Sequence, residues 1–306
     1  MDGLILLDKP GGVTSHDIVL RIRKILGLKK VGHFGTLDPL ATGLLLLAVG
    51  QATKLFPLFS KKDKIYRGKI RLGFSTDTYD ALGKPLSEDH AEYPDRQTLA
   101  EAMNTFVGEI KQVPPPYSAK KLDGQPLYKW ARAKRMLQLE PSSVAVYSFD
   151  LIAYVPPFLN FESRCSAGTY VRSLAHDLGQ HLGCGGHLAE LRRLAVGRYD
   201  ISAALTLEQV ERLAAEGEIE GFILPLETML PEFPRVILKE SGVRELQKGK
   251  VLPAEHILTV LRPRPGLGPA TTEEEAYQLF SPEGKFLALA KKGERKNGLL
   301  PFLRLS

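Results

Sequence analysis

The chain has 306 residues, 43% hydrophobic and 25% charged, with a formal net charge of +6. That apolar content supports a full core and excludes general disorder, and the length suits one large domain plus a small one. The apolar run at the N-terminus, Leu4–Leu7, is cut off by Asp8 and Lys9, whereas a secretory segment needs roughly 7–15 apolar residues and a membrane span about 20. The expectation is a soluble cytoplasmic protein. Two cysteines, Cys165 and Cys184, make no disulfide framework, in keeping with a reducing compartment. The charge is uneven: residues 1–75 carry 13 Lys/Arg against 5 Asp/Glu, residues 111–135 carry 7 against 1, and residues 76–110 carry 2 against 8. Basic segments of this kind can neutralise phosphates, and an ordinary solvated surface is the competing reading.

In chain order, Leu4–Leu7 predicts a short buried strand, ended by Lys9-Pro10-Gly11-Gly12. Thr14 or Ser15 then caps a helix to about Leu26, with Ile18, Val19, Ile22, Ile25 and Leu26 on one face and Gly27 closing it. Residues 32–43 form a Gly/Pro/Thr loop, and Leu44–Val49 reads as a fully buried element. Tyr66–Leu72 alternates as a strand with a basic outer face, and Thr98–Phe106 suits a helix. Pro114-Pro115-Pro116 breaks the chain before a basic, aromatic stretch from Tyr117 to Arg135. Leu159–Ser166 predicts a strand; Tyr170–His181 and Leu188–Leu194 predict helices, the first closed by Gly183. A boundary falls near Pro231–Pro234. Beyond it the short runs Arg235–Leu238, Ile257–Val260, Ala276–Phe280, Phe286–Ala290 and Leu299–Leu303 suggest a small β-barrel, interrupted by a loop at 261–275.

The loop Gly32–Gly43 concentrates the chemistry. Its three glycines permit tight turns, and Pro39 biases Asp38 toward extended backbone. Taken alone, Asp38 reads more readily as a turn residue than as a reactive one. Arg172 sits in the first turn of a helix, where the dipole disfavours a cation, so it needs a carboxylate or phosphate partner. Tyr66 lies among cations in Lys61–Arg71, placed either to pack in the core or to stack on a base.

Six segments in order, LDKPGGVTSHD at 7–17, GHFGTLDPLATGLL at 32–45, KIYRGKIRLGFSTDTYDALG at 64–83, QVPPPYSAKKLDGQPLYKWAR at 112–132, GTYVRSLAHDLG at 168–179 and HLAELRRLAVG at 187–197, closely resemble the bacterial tRNA pseudouridine-55 synthases, the TruB family. The segment from Phe233 onward resembles the PUA-like RNA-binding domain often appended there. The resemblance implies an α+β pseudouridine synthase fold, with a mixed, largely antiparallel central sheet flanked by helices and a small C-terminal β-barrel. It implies a catalytic domain at 1–232, with a basic RNA-binding insertion at about 112–150, and a PUA-like domain at 233–306. By position it makes Asp38 the nucleophile, Arg172 its partner, and Tyr66 the ring packed on the target base. Tyr170 and Leu191 would line the uracil pocket, His33 would hold the RNA loop with its nucleotide flipped out, and Lys9 and Pro10 would form a supporting turn. The implied reaction isomerises uridine 55 in the T loop of tRNA, with no cofactor or metal. The implied partner is the tRNA T stem-loop, with no membrane and no obligatory protein partner; a monomer is expected. Phe34 departs from the family, which usually has Thr there, and a larger side chain beside His33 could alter contact with the RNA loop.

The residues fit that reaction. Isomerisation needs no redox partner; an ionised carboxylate can attack sugar or ring covalently, and a nearby cation favours its charged form. The target base must leave its stack to reach it. Four rival readings compete with this one. A zinc site from Cys165, His176, His181, Cys184 and His187 lacks standard ligand spacing. A glycosylase would need a second carboxylate, and Asp77 or Asp80 is the nearest candidate, although an ordinary turn explains both. The others are a non-catalytic RNA-binding or RNA-folding protein and the related guide-RNA-dependent pseudouridine synthase.

Overall fold

The computed structural model describes residues 1–89, 92–118, 121–122, 125–126, 130, 139–262, 276–293 and 298–305. The first half runs β1 (Gly3–Lys9), α1 (Ser15–Leu26), β2 (Val31–His33), β3 (Thr42–Val49), α2 (Phe56–Ser60), β4 (Lys64–Leu72), α3 (Arg96–Asn104) and β5 (Gly108–Gln112). Two short strands, β6 (Lys121–Leu122) and β7 (Gln125–Pro126), pair with each other. Then come β8 (Ser142–Val155), β9 (Phe158–Cys165), α4 (Val171–His181), β10 (Gly186–Val196), β11 (Tyr199–Asp200), β12 (Leu205–Thr206), α5 (Leu207–Ala215) and β13 (Leu224–Pro225). The C-terminal part is β14 (Arg235–Leu238), α6 (Glu240–Gln247), β15 (Leu252–Pro253), β16 (Ile257–Leu261), β17 (Ala276–Phe280), β18 (Phe286–Lys292) and β19 (Gly298–Arg304). The loop expected at 261–275 and most of the stretch 117–135 lie outside the described residues.

Among the described residues the main sheet has eleven strands, with the central order β12-β1-β3-β10-β4-β9-β8-β5. Most pairs are antiparallel; β1 with β12 and β3 with β10 are parallel. Alternation sorts its side chains into two cores. Ile5, Leu7, Leu45 and Leu47 face α1 and α4, while Leu4, Leu6, Leu44 and Leu46 face the opposite way. The second core also takes in Phe280, Phe286, Leu289 and Leu305, so the C-terminal strands pack on the far face of the main sheet. Those strands form a curled six-stranded sheet, β15-β19-β18-β17-β14-β16.

Local signals act as expected at α1. Thr14 and Asp17 form a capping box, and Gly27, at φ 65°, takes the left-handed position after the last turn. One expected helix is a strand. Residues 188–194 belong to β10, which has bulges between Leu188 and Glu190 and between Arg193 and Ala195. Each bulge adds a residue and interrupts the period of two. The resulting spacing of Leu188, Leu191 and Leu194 imitates a helix face.

Gly43 sits where β3 meets β10. Its φ is 99°, and an added Cβ would overlap the Arg193 carbonyl oxygen and lie 2.7 Å from Arg193 N. Gly12 also has positive φ, at 83°, but with nothing within 4 Å of its Cβ direction. Gly43→Ala should therefore cost at least about 2–3 kcal/mol of unfolding free energy, against about 1 kcal/mol for Gly12→Ala. Urea unfolding of the two variants measures the difference.

Candidate active site

The loop between β2 and β3 carries Asp38, and three elements fix its backbone. Gly12 N donates to Pro39 O at 2.8 Å. Ser15, the first residue of α1, donates Oγ–H to Leu37 O at 2.9 Å and accepts from Leu37 N at 2.8 Å. Arg193 on β10, only 1% exposed, donates Nε to Leu44 O at 2.7 Å, Nη2 to Gly35 O at 3.1 Å and Nη1 to Thr36 O at 3.4 Å. The loop is thus held from outside by the turn after β1, by α1 and by β10, with Ala41 N donating to Asp38 O within it.

Arg172, in the first turn of α4, is 5% exposed. Its partners are carboxylates, one of the two alternatives its helix position required. Nε lies 2.9 Å from Asp38 Oδ2, and Nη2 donates to Asp38 Oδ1 at 3.2 Å. On its other side Nη1 donates to Thr78 O at 3.1 Å and to Asp80 Oδ2 at 3.4 Å, while Nη2 also donates to Tyr117 O at 2.8 Å. Asp80 holds its own turn as well, accepting on Oδ1 from Thr78 Oγ1 and Leu82 N. The turn reading of Asp80 was therefore incomplete: one carboxyl group both closes the turn and orients Arg172.

Tyr170, the residue before α4, is clamped by buried Gln112, whose Oε1 accepts from Tyr170 N at 2.8 Å and whose Nε2 donates to Tyr170 O at 3.1 Å. These groups wall a cavity of about 240 Å³ whose lining includes Asp38, Lys64, Tyr66, Tyr170, Arg172 and Leu191. Five of the seven residues singled out from the sequence thus meet around one space. The other two, Lys9 and His33, are not among the lining residues. Lys9 donates Nζ to Pro10 O and Val13 O, both at 2.8 Å, tying the turn beneath the loop. Burial pushes the Lys9 amine down to about 8, with Asp38 opposing the shift. His33 is half-buried, and burial together with the Arg193 charge holds its pKa below the ordinary value. Phe34 points away from the loop surface: it is 1% exposed and stacks on Phe59 at 4.4 Å in the second core. Alternation along the chain separates it from His33.

Burial pushes the Asp38 carboxyl above the usual carboxylate value; Arg172 pulls it back down, and Asp80 adds to the rise. The Tyr66 hydroxyl is likewise pushed up by burial, against the Arg193 charge. The residues weighed as zinc ligands take other partners. His176 stacks on Tyr79 at 3.8 Å, and His187 Nδ1 hydrogen-bonds Phe74 O at 3.0 Å. Among the described residues no three metal-binding side chains converge. Sequence reasoning missed Gln112, Arg193 and Ser15 as supports. Arg193 alone showed a signal, a cation inside a largely buried run; Gln112 and Ser15 stand in polar, exposed stretches that gave none.

The fold is that of the pseudouridine synthases. It superposes on a crystal structure of a Cbf5-Nop10-Gar1 complex with a TM-score of 0.73 at 26% identity, covering 98% of this chain and 83% of that one. An H/ACA RNP structure bound to a substrate RNA containing 2′-deoxyuridine gives 0.72 at 24% identity, covering 99% and 85%. The model of the TruB family pseudouridylate synthase N-terminal domain matches residues 23–171, and that of the tRNA pseudouridylate synthase B C-terminal domain matches 172–231. The tRNA pseudouridine synthase B of Solibacter usitatus is 46% identical over 254 residues, 83% of this chain and 87% of that protein. Its counterpart from Syntrophotalea carbinolica is 43% identical over 249 residues, 81% of each. The chain belongs to the TruB family of pseudouridylate synthases.

Asp80→Asn removes a charge that raises the Asp38 pKa and weakens the hold on Arg172. The acid limb of the single-turnover rate should move to lower pH, because the Asp38 carboxylate then forms more readily. The plateau rate should fall on the order of tenfold through loss of the charge-assisted contact. Rapid-quench measurements from pH 4 to 8 would register both changes.

Proposed function

We propose that this chain isomerises uridine to pseudouridine at position 55 in the T loop of tRNA, with Asp38 as covalent nucleophile on a flipped-out base. Isomerisation of uridine in tRNA is the activity of the family. The observation that carries the assignment to residues is the ion pair of Asp38 with Arg172, one hydrogen bond from Nη2 and a close approach of Nε, at a cavity walled by Tyr66, Tyr170 and Leu191. A cavity of about 240 Å³ has room for one pyrimidine ring. Arg172 favours the charged carboxylate against the cost of burial and fixes its orientation. Tyr66 offers a ring face to the detached uracil, which must turn over before the carbon bond forms. The residues present call for no cofactor: the carboxylate supplies the nucleophile, and no electrons enter or leave.

Residues 1–232 would form the catalytic domain, with a basic insertion at about 112–150 for RNA, and residues 233–306 a PUA-like RNA-binding domain. The family match ending at residue 231 and the start of the second sheet at Arg235 support that division. His33 would hold the opened RNA loop from the rim. The chain would act on tRNA alone, as a cytoplasmic monomer without guide RNA or protein partner. No helix among the described residues is long and apolar enough to cross a membrane.

The test is tritium release from C5-labelled uridine in a naked tRNA transcript, since the new carbon bond expels that hydrogen. Wild type should release it without guide RNA and leave the RNA mass unchanged; free uracil instead would indicate a glycosylase. Asp38→Asn should lose about 10⁴-fold or more in rate while binding tRNA within about twofold of wild type. Full activity in that variant would remove Asp38 as nucleophile. Affinity for tRNA should fall more than about tenfold between ~50 and ~200 mM salt, as phosphate contacts release counterions.

A further inference from the structure

Lys64 is a third cation in the wall of the cavity, besides Arg172 and Arg193. It opens β4 two residues before Tyr66, so strand alternation puts both side chains on the cavity face. The residue is 7% exposed, and its Nζ donates to Ser60 O at 3.0 Å, with Ser60 itself in the lining. Among the described residues its ammonium forms no other hydrogen bond and no ion pair with a carboxylate. An ammonium has three donors and resists burial without a partner. One donor on a carbonyl leaves two for whatever occupies the cavity.

The reaction supplies an acceptor. If Asp38 bonds C1′, the C1′–N1 bond breaks and its electron pair stays on N1, shared with O2 and O4. If Asp38 bonds C6, the C5–C6 π pair moves toward the O4 carbonyl, and the C1′–N1 bond then breaks with its electron pair left on N1. On either route negative charge develops on the oxygens of the ring. When C5 later bonds C1′, the Asp38 oxygen is released, C5 gives up its proton and N1 regains one. Arg172 is committed to Asp38, Asp80 and two backbone carbonyls. Arg193 gives three of its five N–H groups to carbonyls of the loop and also bonds the Tyr66 hydroxyl. Lys64 commits one of its three donors, to Ser60 O.

We propose that Lys64 is a catalytic residue that hydrogen-bonds a carbonyl oxygen of the uracil and stabilises the negative charge the ring carries while it is detached. This rests on the isomerase reading of the site. Preorganised donors at a developing charge act mainly on the rate and little on ground-state binding.

The surroundings make the ammonium titratable in an accessible range. Burial lowers its pKa to about 8; Arg193 from β10 pushes the same way, while neighbouring Asp63 opposes it. Cys165 is pushed up to about 11 and stays a neutral thiol at that pH. Lys9, also near 8, is the other group able to produce a limb there.

Single-turnover tritium release, tRNA affinity and thermal melting are measured for wild type, Lys64→Met and Lys64→Arg. Lys64→Met should lose about 100-fold in rate with tRNA affinity within about twofold and an unchanged melting temperature. Lys64→Arg should recover most of the rate. The wild-type rate should fall above about pH 8 as Lys64 loses its proton, and that fall should vanish in Lys64→Arg, which does not deprotonate there. A Lys64→Met rate within threefold of wild type overturns the proposal, as does a rate loss matched by lower melting and not recovered by arginine. A basic limb that persists in Lys64→Arg assigns it to Lys9 and overturns it as well. If wild type itself releases no tritium, the isomerase reading fails; if wild type is active and Lys64→Met is too, only the role of Lys64 fails.

Discussion

The guanidinium of Arg172, nearly sealed from water, binds two carboxylates that lie 134 and 92 residues earlier in the chain. Breaking such a buried group from one partner typically costs about 3–5 kcal/mol, because an uncompensated charge remains. The fold must therefore bring the 34–41 loop, the turn around Asp80 and the first turn of α4 together. The central strands provide the frame for this. β3 and β4 flank β10, which sends Arg193 back under the loop.

Arg172 was expected to hold Asp38 ionised. Its effect has that sign, yet burial and Asp80 outweigh it, so the carboxyl sits above its usual value. The same burial bears on the cations below it: Lys9 and Lys64 are both lowered to about 8. The site is a set of charges held at partial cost by a rigid scaffold, a common arrangement where reactive groups are tuned.

The basic strand reads differently once folded. Arg67, Lys69 and Arg71 on the outer face of β4 meet Glu162, Glu190 and Asp89. These exposed pairs contribute little to stability, but they cancel much of the charge that the sequence counted toward RNA. Phe34, read as an oddity at the RNA surface, instead fills the second core beside Phe59. In both cases partners on other elements, outside any local window, decided what the side chain does.

By itself the sequence determined the class of fold, the family, and most strands and helices whose periodicity is regular, including α1 with its caps. It also marked Asp38, Tyr66, Tyr170, Arg172 and Leu191, because these stand in short ordered motifs. Only the tertiary structure decided that residues 188–194 form a strand, since two bulges break the alternation there. Only it revealed Asp80 as a second anchor of Arg172, Gln112 and Arg193 as clamps, and Lys64 in the cavity wall. Local patterning reflects which face of an element is buried. Which charge meets which across 134 residues depends on strand order and register, and no local window contains those.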